Sequence, residues 1–186
     1  MIEDETDFVL PWINSLKKYD AGKPISIVAK SLGIDETKII KLASNENAFG
    51  CSPKIKEFIS LNAIDVNRYP DGDSFILKNE IKEKFNVSLD QIIVGNGSND
   101  ILDIIARVFL SPGRSSMFSQ YSFAVYPLAS KSCGAEIIEV PVNDDFSINL
   151  ERMVSSIKKN TSIVFIANPN NPTGSYVSLA SIECFL

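Results

Sequence analysis

Gln91-Ile92-Ile93-Val94-Gly95-Asn96-Gly97-Ser98-Asn99-Asp100-Ile101-Leu102 is the stretch that decides how this chain folds. A short β-rich run meets a glycine turn, and the turn opens straight into a helical pattern. Over residues 99–110, Ile101, Ile104, Ile105 and Val108 recur at helical spacing on one face. The same alternation then repeats towards the C-terminus. Ser116–Ser119 reads as a strand, and residues 123–132 as a helix that Gly134 ends. Glu136–Val142 reads as a third strand, followed by a helix over 149–159 with Leu150, Met153, Val154 and Ile157 as its stripe. Ser162–Ala167 is nearly continuous in apolar residues, which predicts a strand buried on both faces. Strands and helices alternating at this spacing predict βαβ units on a mostly parallel sheet, so the expected class is α/β.

Towards the N-terminus the pattern is less regular. Residues 74–86 and 53–62 predict helices, with Pro53 in a first turn where its missing N–H costs nothing. Ile39-Ile40-Lys41-Leu42-Ala43 reads as a short strand running into Ser44-Asn45-Glu46-Asn47. Phe8, Leu10, Trp12, Ile13 and Leu16 sit near helical spacing until Ala21-Gly22-Lys23-Pro24 breaks the pattern. At the other end, Leu179, Ile182 and Phe185-Leu186 predict a further helix with no capping glycine.

Composition narrows the chemistry. The 186 residues carry 18 Lys+Arg against 23 Asp+Glu, a net charge of −5, and no histidine. Histidine-dependent triads, His-ligated metals and histidine pH switches cannot be built from this chain alone. The acidic balance argues against nucleic acid, which asks for a basic stripe. The opening Met1-Ile2-Glu3-Asp4-Glu5 is the reverse of a basic export signal. The apolar runs fall far short of the ~20 residues that span a bilayer. Cys51, Cys133 and Cys184 are widely spaced and odd in number, which predicts reduced thiols in a cytoplasmic protein and no thiolate metal site. The glycosylation triplets at Asn86, Asn96 and Asn160 are then chance matches.

Three stretches could carry chemistry. Gly95-Asn96-Gly97-Ser98-Asn99-Asp100 allows a tight turn whose helix-opening N–H groups form an anion site suited to a phosphate. A dinucleotide fingerprint would need a third glycine and an acid ~20 residues on. Asp100 and Ser119-Gln120 stand in those places, so that reading fails. The plainer alternative is a turn with Ser98 or Asn99 as helix N-cap. Asn168-Pro169-Asn170-Asn171-Pro172-Thr173-Gly174 follows the last strand, where ligands bind in open parallel sheets. Its prolines offer a candidate cis bond and hold asparagine amides rigidly; the alternative is a surface turn. Asn67-Arg68-Tyr69-Pro70-Asp71-Gly72 reads as a polar turn with one aromatic. Phe123 and Tyr126, opening the next helix, belong to the core or offer a face to a planar ring.

Taken in order, these stretches resemble the histidinol-phosphate aminotransferase family, within the fold-type I pyridoxal-phosphate enzymes. The resemblance is carried by Tyr19-Asp20-Ala21-Gly22-Lys23-Pro24, Lys41-Leu42-Ala43-Ser44-Asn45-Glu46-Asn47 and Asn67 to Gly72. It continues through Gly95 to Asn99, Phe123-Ala124-Val125-Tyr126-Pro127-Leu128 and Asn168 to Gly174. It implies an arm and small-domain segment over 1–35 and the first half of a large cofactor-binding domain over 36–186. It also implies pyridoxal 5'-phosphate as cofactor. Ser98 and Asn99 would hold its phosphate, Phe123 would stack on its ring, and Asn171 would bond its phenolic oxygen. Tyr69 would reach the cofactor phosphate of a neighbouring subunit, implying a homodimer. Tyr19 and Asn47 would lie near substrate. The implied reaction moves an amino group between histidinol phosphate and 2-oxoglutarate; an aromatic amino acid aminotransferase is the nearest alternative. A non-catalytic phosphate-binding or dimerisation module is the alternative of another class.

Two departures stand beside the implied site. Ala48 replaces the family's usual proline, and Tyr121-Ser122 replaces its usual Pro-Thr. A larger one is an absence: the family's Schiff-base lysine, pyridine-nitrogen aspartate and phosphate arginine all lie beyond the Asn-Pro-Thr-Gly loop. Lys131, in Ser130-Lys131-Ser132, falls in a helix and reads as a solvated lysine. The expectation is a chain cut in mid-helix that catalyses nothing by itself.

Overall fold

The structure is a computed structural model that describes residues 8–16, 18–19, 22–62 and 67–186. The chain divides into two compact units, one of the arm up to Tyr19 with Gly95–Leu186, the other of Asp20–Val94. Asp20 and Ala21 of the quoted Tyr19–Pro24 motif lie outside the described residues.

The first unit is built on three parallel strands, β1 (Ser115–Ser119), β2 (Glu136–Val140) and β3 (Thr161–Phe165), in the order β2-β1-β3. The expected parallel α/β sheet is therefore present. The doubly buried strand, however, is β1 and not the apolar β3. All five residues of Ser115-Ser116-Met117-Phe118-Ser119 are buried, because β1 has a neighbour on each edge and helices on each face. Its serines are tolerated there by pairing. Ser116 Oγ donates to Ser130 Oγ at 2.7 Å, and Ser115 Oγ donates to Thr161 Oγ1 at 3.2 Å. Ser119 Oγ is buried without a partner among the described residues.

Two layers cover the sheet. On one side Met117, Val140, Ile148 and Met153 pack together, Met153 coming from Leu150–Ser156. On the other side lie Ser98–Phe109 and Val125–Ser132, which meet through Ala106, Leu110, Ala129 and Ala135. That contact overturns the predicted stripe. Ile104 and Val108 are exposed, whereas Ala106 is wholly buried, because the small Ala106 and Ala129 let the two helices approach closely. Leu179–Phe185 ends the described chain as the predicted last helix.

The second unit is helical. Ile25–Leu32, which sequence periodicity did not single out, ends at Gly33 in the left-handed conformation (φ 65°). Pro53–Asn62 and Phe75–Phe85 match the predicted helices within a residue. In chain order the helices are α1 (Ile25–Leu32), α2 (Pro53–Asn62), α3 (Phe75–Phe85), α4 (Ser98–Phe109), α5 (Val125–Ser132), α6 (Leu150–Ser156) and α7 (Leu179–Phe185).

Two expected strands do not form among the described residues. Ile39–Ala43 pairs with nothing, and Ile40 and Leu42 are exposed. Gln91–Val94 is extended at Ile92 but makes no ladder. Its first amides are spent locally: Gln91 N donates to Ser88 O at 3.1 Å and Ile92 N to Leu89 O at 3.2 Å. The Ser88-x-x-Gln91 pair closes this 3-10 turn, with Ser88 N donating to Gln91 Oε1 at 2.9 Å. The predicted opening helix does not form among the described residues either. Its described part holds only a 3-10 turn at Ile13–Ser15, because Leu16 is already extended (ψ 126°).

Candidate functional site

The turn that opens α4 is tight for reasons its residues supply. A Cβ on Gly95 would stand 2.8 Å from Asp100 Oδ2 and from Ile101 Cδ1, so a larger residue would have to push both side chains aside. Asp100 closes the turn by accepting from Asn96 N at 3.0 Å. That explains the acid at the position where a dinucleotide loop has glycine. Gly97 is the N-cap, at φ 79°, and no side chain caps the helix. Neither Ser98 nor Asn99 is therefore the cap. Both are helical, and their backbone N–H groups belong to the set a helix leaves without intrahelical partners.

The second element is the start of α5. Tyr126 belongs to the core: it is buried and stacks on Phe165 with ring centroids 4.6 Å apart and planes within 6°. Burial also pushes its phenol above the ordinary tyrosine value. Phe123 meets Tyr126 edge-on at 5.9 Å and is only half-buried. Leu102, in the first turns of α4, packs against the same Phe118–Tyr126–Phe165 cluster as Phe123. The cluster thus brings the opening of α4 and Phe123 to the end of the sheet where β1 and β3 finish.

The third element is the loop after β3. Its two X-Pro bonds, Asn168-Pro169 and Asn171-Pro172, are both cis. Asn168 is spent on the loop, donating from Nδ2 to Val177 O at 2.9 Å and accepting from Val177 N at 3.0 Å. Asn170 is spent likewise and is buried. Its Nδ2 donates to Tyr121 O at 3.1 Å and Thr173 Oγ1 at 2.9 Å, and its Oδ1 accepts from Ser122 Oγ at 3.2 Å. Asn171 makes no side-chain hydrogen bond among the described residues and is partly exposed. Of the three amides, it is the one left for a ligand. Tyr121 and Ser122, noted above as departures, are what tie this loop to the one after β1.

The remaining candidates are placed as follows. Tyr19 lines a cavity of about 210 Å³ with Leu16, Ala124, Pro127 and Leu128, along one face of α5. Lys131 lines the same cavity from further along α5 and is not among the residues around Phe123 and Asn171. In the second unit, Tyr69 is fully exposed. The turn that carries it is held by Asp71, whose carboxylate accepts from Phe75 N at 2.7 Å and Asp73 N at 3.1 Å. These bonds hold its pKa below the usual carboxylate range. Asn47 folds its own turn, donating to Gly50 O at 3.1 Å and accepting from Phe49 N at 3.0 Å. A larger cavity, about 670 Å³, lies between α6 and α7 near Ile148, Val154, Val177 and Phe185. It is more open and brings no candidate residues together, so the loops at the ends of β1 and β3 make the better site. Among the described residues no cluster of three metal-ligating side chains occurs, and no helix is long and apolar enough to cross a membrane.

The sequence and the fold of the chain are similar to those of known proteins. The sequence is 47% identical over 97% of its length to histidinol-phosphate aminotransferase 1 of Dechloromonas aromatica. It is 46% identical over 95% of its length to histidinol-phosphate aminotransferase 2 of Pseudomonas aeruginosa. It covers 49% and 47% of those two proteins, so the chain spans about half the length of the curated relatives it matches. The fold superimposes with a TM-score of 0.80 on histidinol-phosphate aminotransferase from Sinorhizobium meliloti, solved in complex with pyridoxal-5'-phosphate. That match, at 24% identity, covers 100% of this chain and 48% of the other. The aminotransferase class I and II pattern extends over residues 37–186, most of the chain, and to that family the chain belongs.

Proposed function

We propose that this chain supplies the cofactor-phosphate and ring-binding half of a histidinol-phosphate aminotransferase. The observation that carries the reading is a convergence. The uncapped start of α4, the half-buried Phe123 ring and the unspent amide of Asn171 all stand at one end of the sheet. These residues suit pyridoxal 5'-phosphate. The N–H groups of Ser98 and Asn99 are oriented donors for a phosphate at a helix N-terminus. Phe123 would cover one face of the pyridine ring, and Asn171 Nδ2 would donate to its phenolic oxygen. The bound cofactor supplies an electron sink that lets an amino group leave one carbon skeleton for another.

Tyr19 stands on the substrate side of this site. Tyr69, fully exposed on its turn, serves the site of a second subunit in a homodimer. Asn47 is the weaker substrate contact, since its amide is occupied by its own turn. One substrate is histidinol phosphate, as the relatives' names support, the other is 2-oxoglutarate, and the compartment is the cytoplasm. No lysine stands among these site residues, so the 186-residue chain alone binds without turning over.

The test is transaminase assay and borohydride reduction of the purified chain with pyridoxal 5'-phosphate. The reading expects no turnover and no single lysine carrying stoichiometric label. Turnover with one specific labelled lysine overturns it. In a chain extended to the length of its relatives, histidinol phosphate should outpace phenylalanine as amino donor. The reverse preference would favour an aromatic amino acid aminotransferase.

A further inference from the structure

The N-terminal arm is fastened at one point across a sequence separation of 120 residues: Trp12 Nε1 donates to the carbonyl of Ser132 at 3.1 Å. The indole lies flat on Gly134. A Cβ at that glycine would stand 2.9 Å from Trp12 Cδ2 and Cε2 and 3.0 Å from Pro112 Cγ. Gly134 thus meets two demands, a positive φ of 73° that ends α5 and a bare surface for the ring. Trp12 sits at the C-terminal end of α5, whereas Tyr19 lines a cavity along the face of α5 that Ala124, Pro127, Leu128 and Lys131 make.

The chain joining these points is longer than the helix beside it. The 8 residues of α5 rise roughly 12 Å. The arm from residue 12 to residue 19 could reach roughly 23 Å if extended. A 3-10 turn at Ile13–Ser15 takes up part of the difference. Without an anchor at the far end, Tyr19 would sample many positions. We propose that Trp12 is a positioning residue, plugged into the Pro112–Ser132–Gly134 notch, that fastens the arm along α5 and thereby sets where Tyr19 stands on the Ala124–Pro127–Leu128 face of that helix. This rests on the reading of Tyr19 as a substrate-side residue.

The test uses the full 186-residue chain. Trp12 is its only tryptophan, so its emission and its quenching by acrylamide report docking directly. Incorporated 3-fluorotyrosine gives Tyr19 its own fluorine resonance, assigned through Tyr19→Phe. Gly134→Ala drives a methyl group into the indole; the expectation is a red-shifted emission, a several-fold rise in quenching, and a Tyr19 resonance moved towards its unfolded position. Trp12→Ala should move that resonance the same way, and Trp12→Phe, which keeps a ring in the notch, should restore most of it. The Tyr126 resonance, in the core, should stay in place throughout. An unmoved Tyr19 resonance in Trp12→Ala overturns the proposal, and so does joint movement of Tyr19 and Tyr126, which would make Trp12 a general stability residue. Pyridoxamine 5'-phosphate separates the two readings. If Tyr19 responds to Trp12→Ala but not to saturation with that probe, Trp12 still positions the arm and the substrate-side role of Tyr19 is lost.

Discussion

Asn170 is the joint of the candidate site, and replacing it is a direct test of how the site is held. Its buried amide joins the loop after β3 to the loop after β1 through Ser122 Oγ and Tyr121 O, and braces its own turn through Thr173 Oγ1. Asn170→Ala deletes three neutral hydrogen bonds. At about 1 kcal/mol net for each, the loss comes to about 3 kcal/mol. Thr173 Oγ1 keeps its contact with Ser175 Oγ at 2.9 Å, and the carbonyl of the exposed Tyr121 can turn to water. The expected range is therefore about 2–3 kcal/mol, a large share of a domain's usual 5–15 kcal/mol. Asn170→Asp sharpens the test. It keeps the acceptor for Ser122 but turns an acceptor towards the Tyr121 carbonyl, in a site only 3% exposed. Burial should raise this carboxyl above its unfolded value of about 3.9, so the folded state holds the proton more tightly and stability falls as pH rises above that value. Urea unfolding followed by Trp12 emission reads both variants, because Trp12 lies in the same unit. Asn170→Asp should match Asn170→Ala at pH 7 and recover towards the parent near pH 4. An Asn170→Ala midpoint equivalent to less than about 0.5 kcal/mol would mean that the amide joins nothing.

Other consequences follow from the sheet. Met117, wholly buried on the α6 side against Val140, Ile148 and Met153, should cost about 2–5 kcal/mol when cut to alanine, read as a lower urea midpoint at unchanged slope. Ser130→Ala removes the acceptor of Ser116 Oγ and a donor to Tyr126 O, both at 2.7 Å; a loss of about 1–3 kcal/mol is expected, relieved by adding Ser116→Ala, and an unrelieved double variant would contradict the pairing. Glu136 is held below the ordinary 4.5 by hydrogen bonds from Lys158 and Asn160 and by the Lys158 charge, so its contribution is present above that value and lost as pH falls through its lowered pKa. Glu136→Gln should flatten the acid limb of the stability curve below pH 4.5 and lower neutral stability by the same amount, a small one since the pair is exposed.

The alternation from Gly95 onward was clear because each helix and strand there carries its own periodicity and its own stop. What sequence could not show was which face wins. In α4 the isoleucines make the stronger pattern, but Ala106 is the contact, because close approach to Ala129 rewards small side chains rather than large ones. In the sheet, the apolar Ile163-Val164-Phe165 run suggested the centre. The centre is serine-rich β1, whose hydroxyls find partners only in the folded pairing. Gln91–Val94 misled because β propensity needs a ladder partner, while the Ser88-x-x-Gln91 box beside it was a readable sign of a turn. The three asparagines of the last loop look alike in sequence. Only their hydrogen bonds separate Asn168 and Asn170, which build the loop, from Asn171, which is free to face a ligand.

Whether the loops at the sheet's end form a cofactor-phosphate site is tested most directly by titrating the chain with pyridoxamine 5'-phosphate and with pyridoxamine, followed calorimetrically. Neither probe carries an aldehyde, so surface lysines do not react with it. A cofactor-phosphate site there should give saturable one-site binding that depends on the phosphate and weakens in Asn171→Ala by about 0.5–1.5 kcal/mol, the worth of one hydrogen bond. Equal binding of the two probes, or binding untouched by Asn171→Ala, would contradict it.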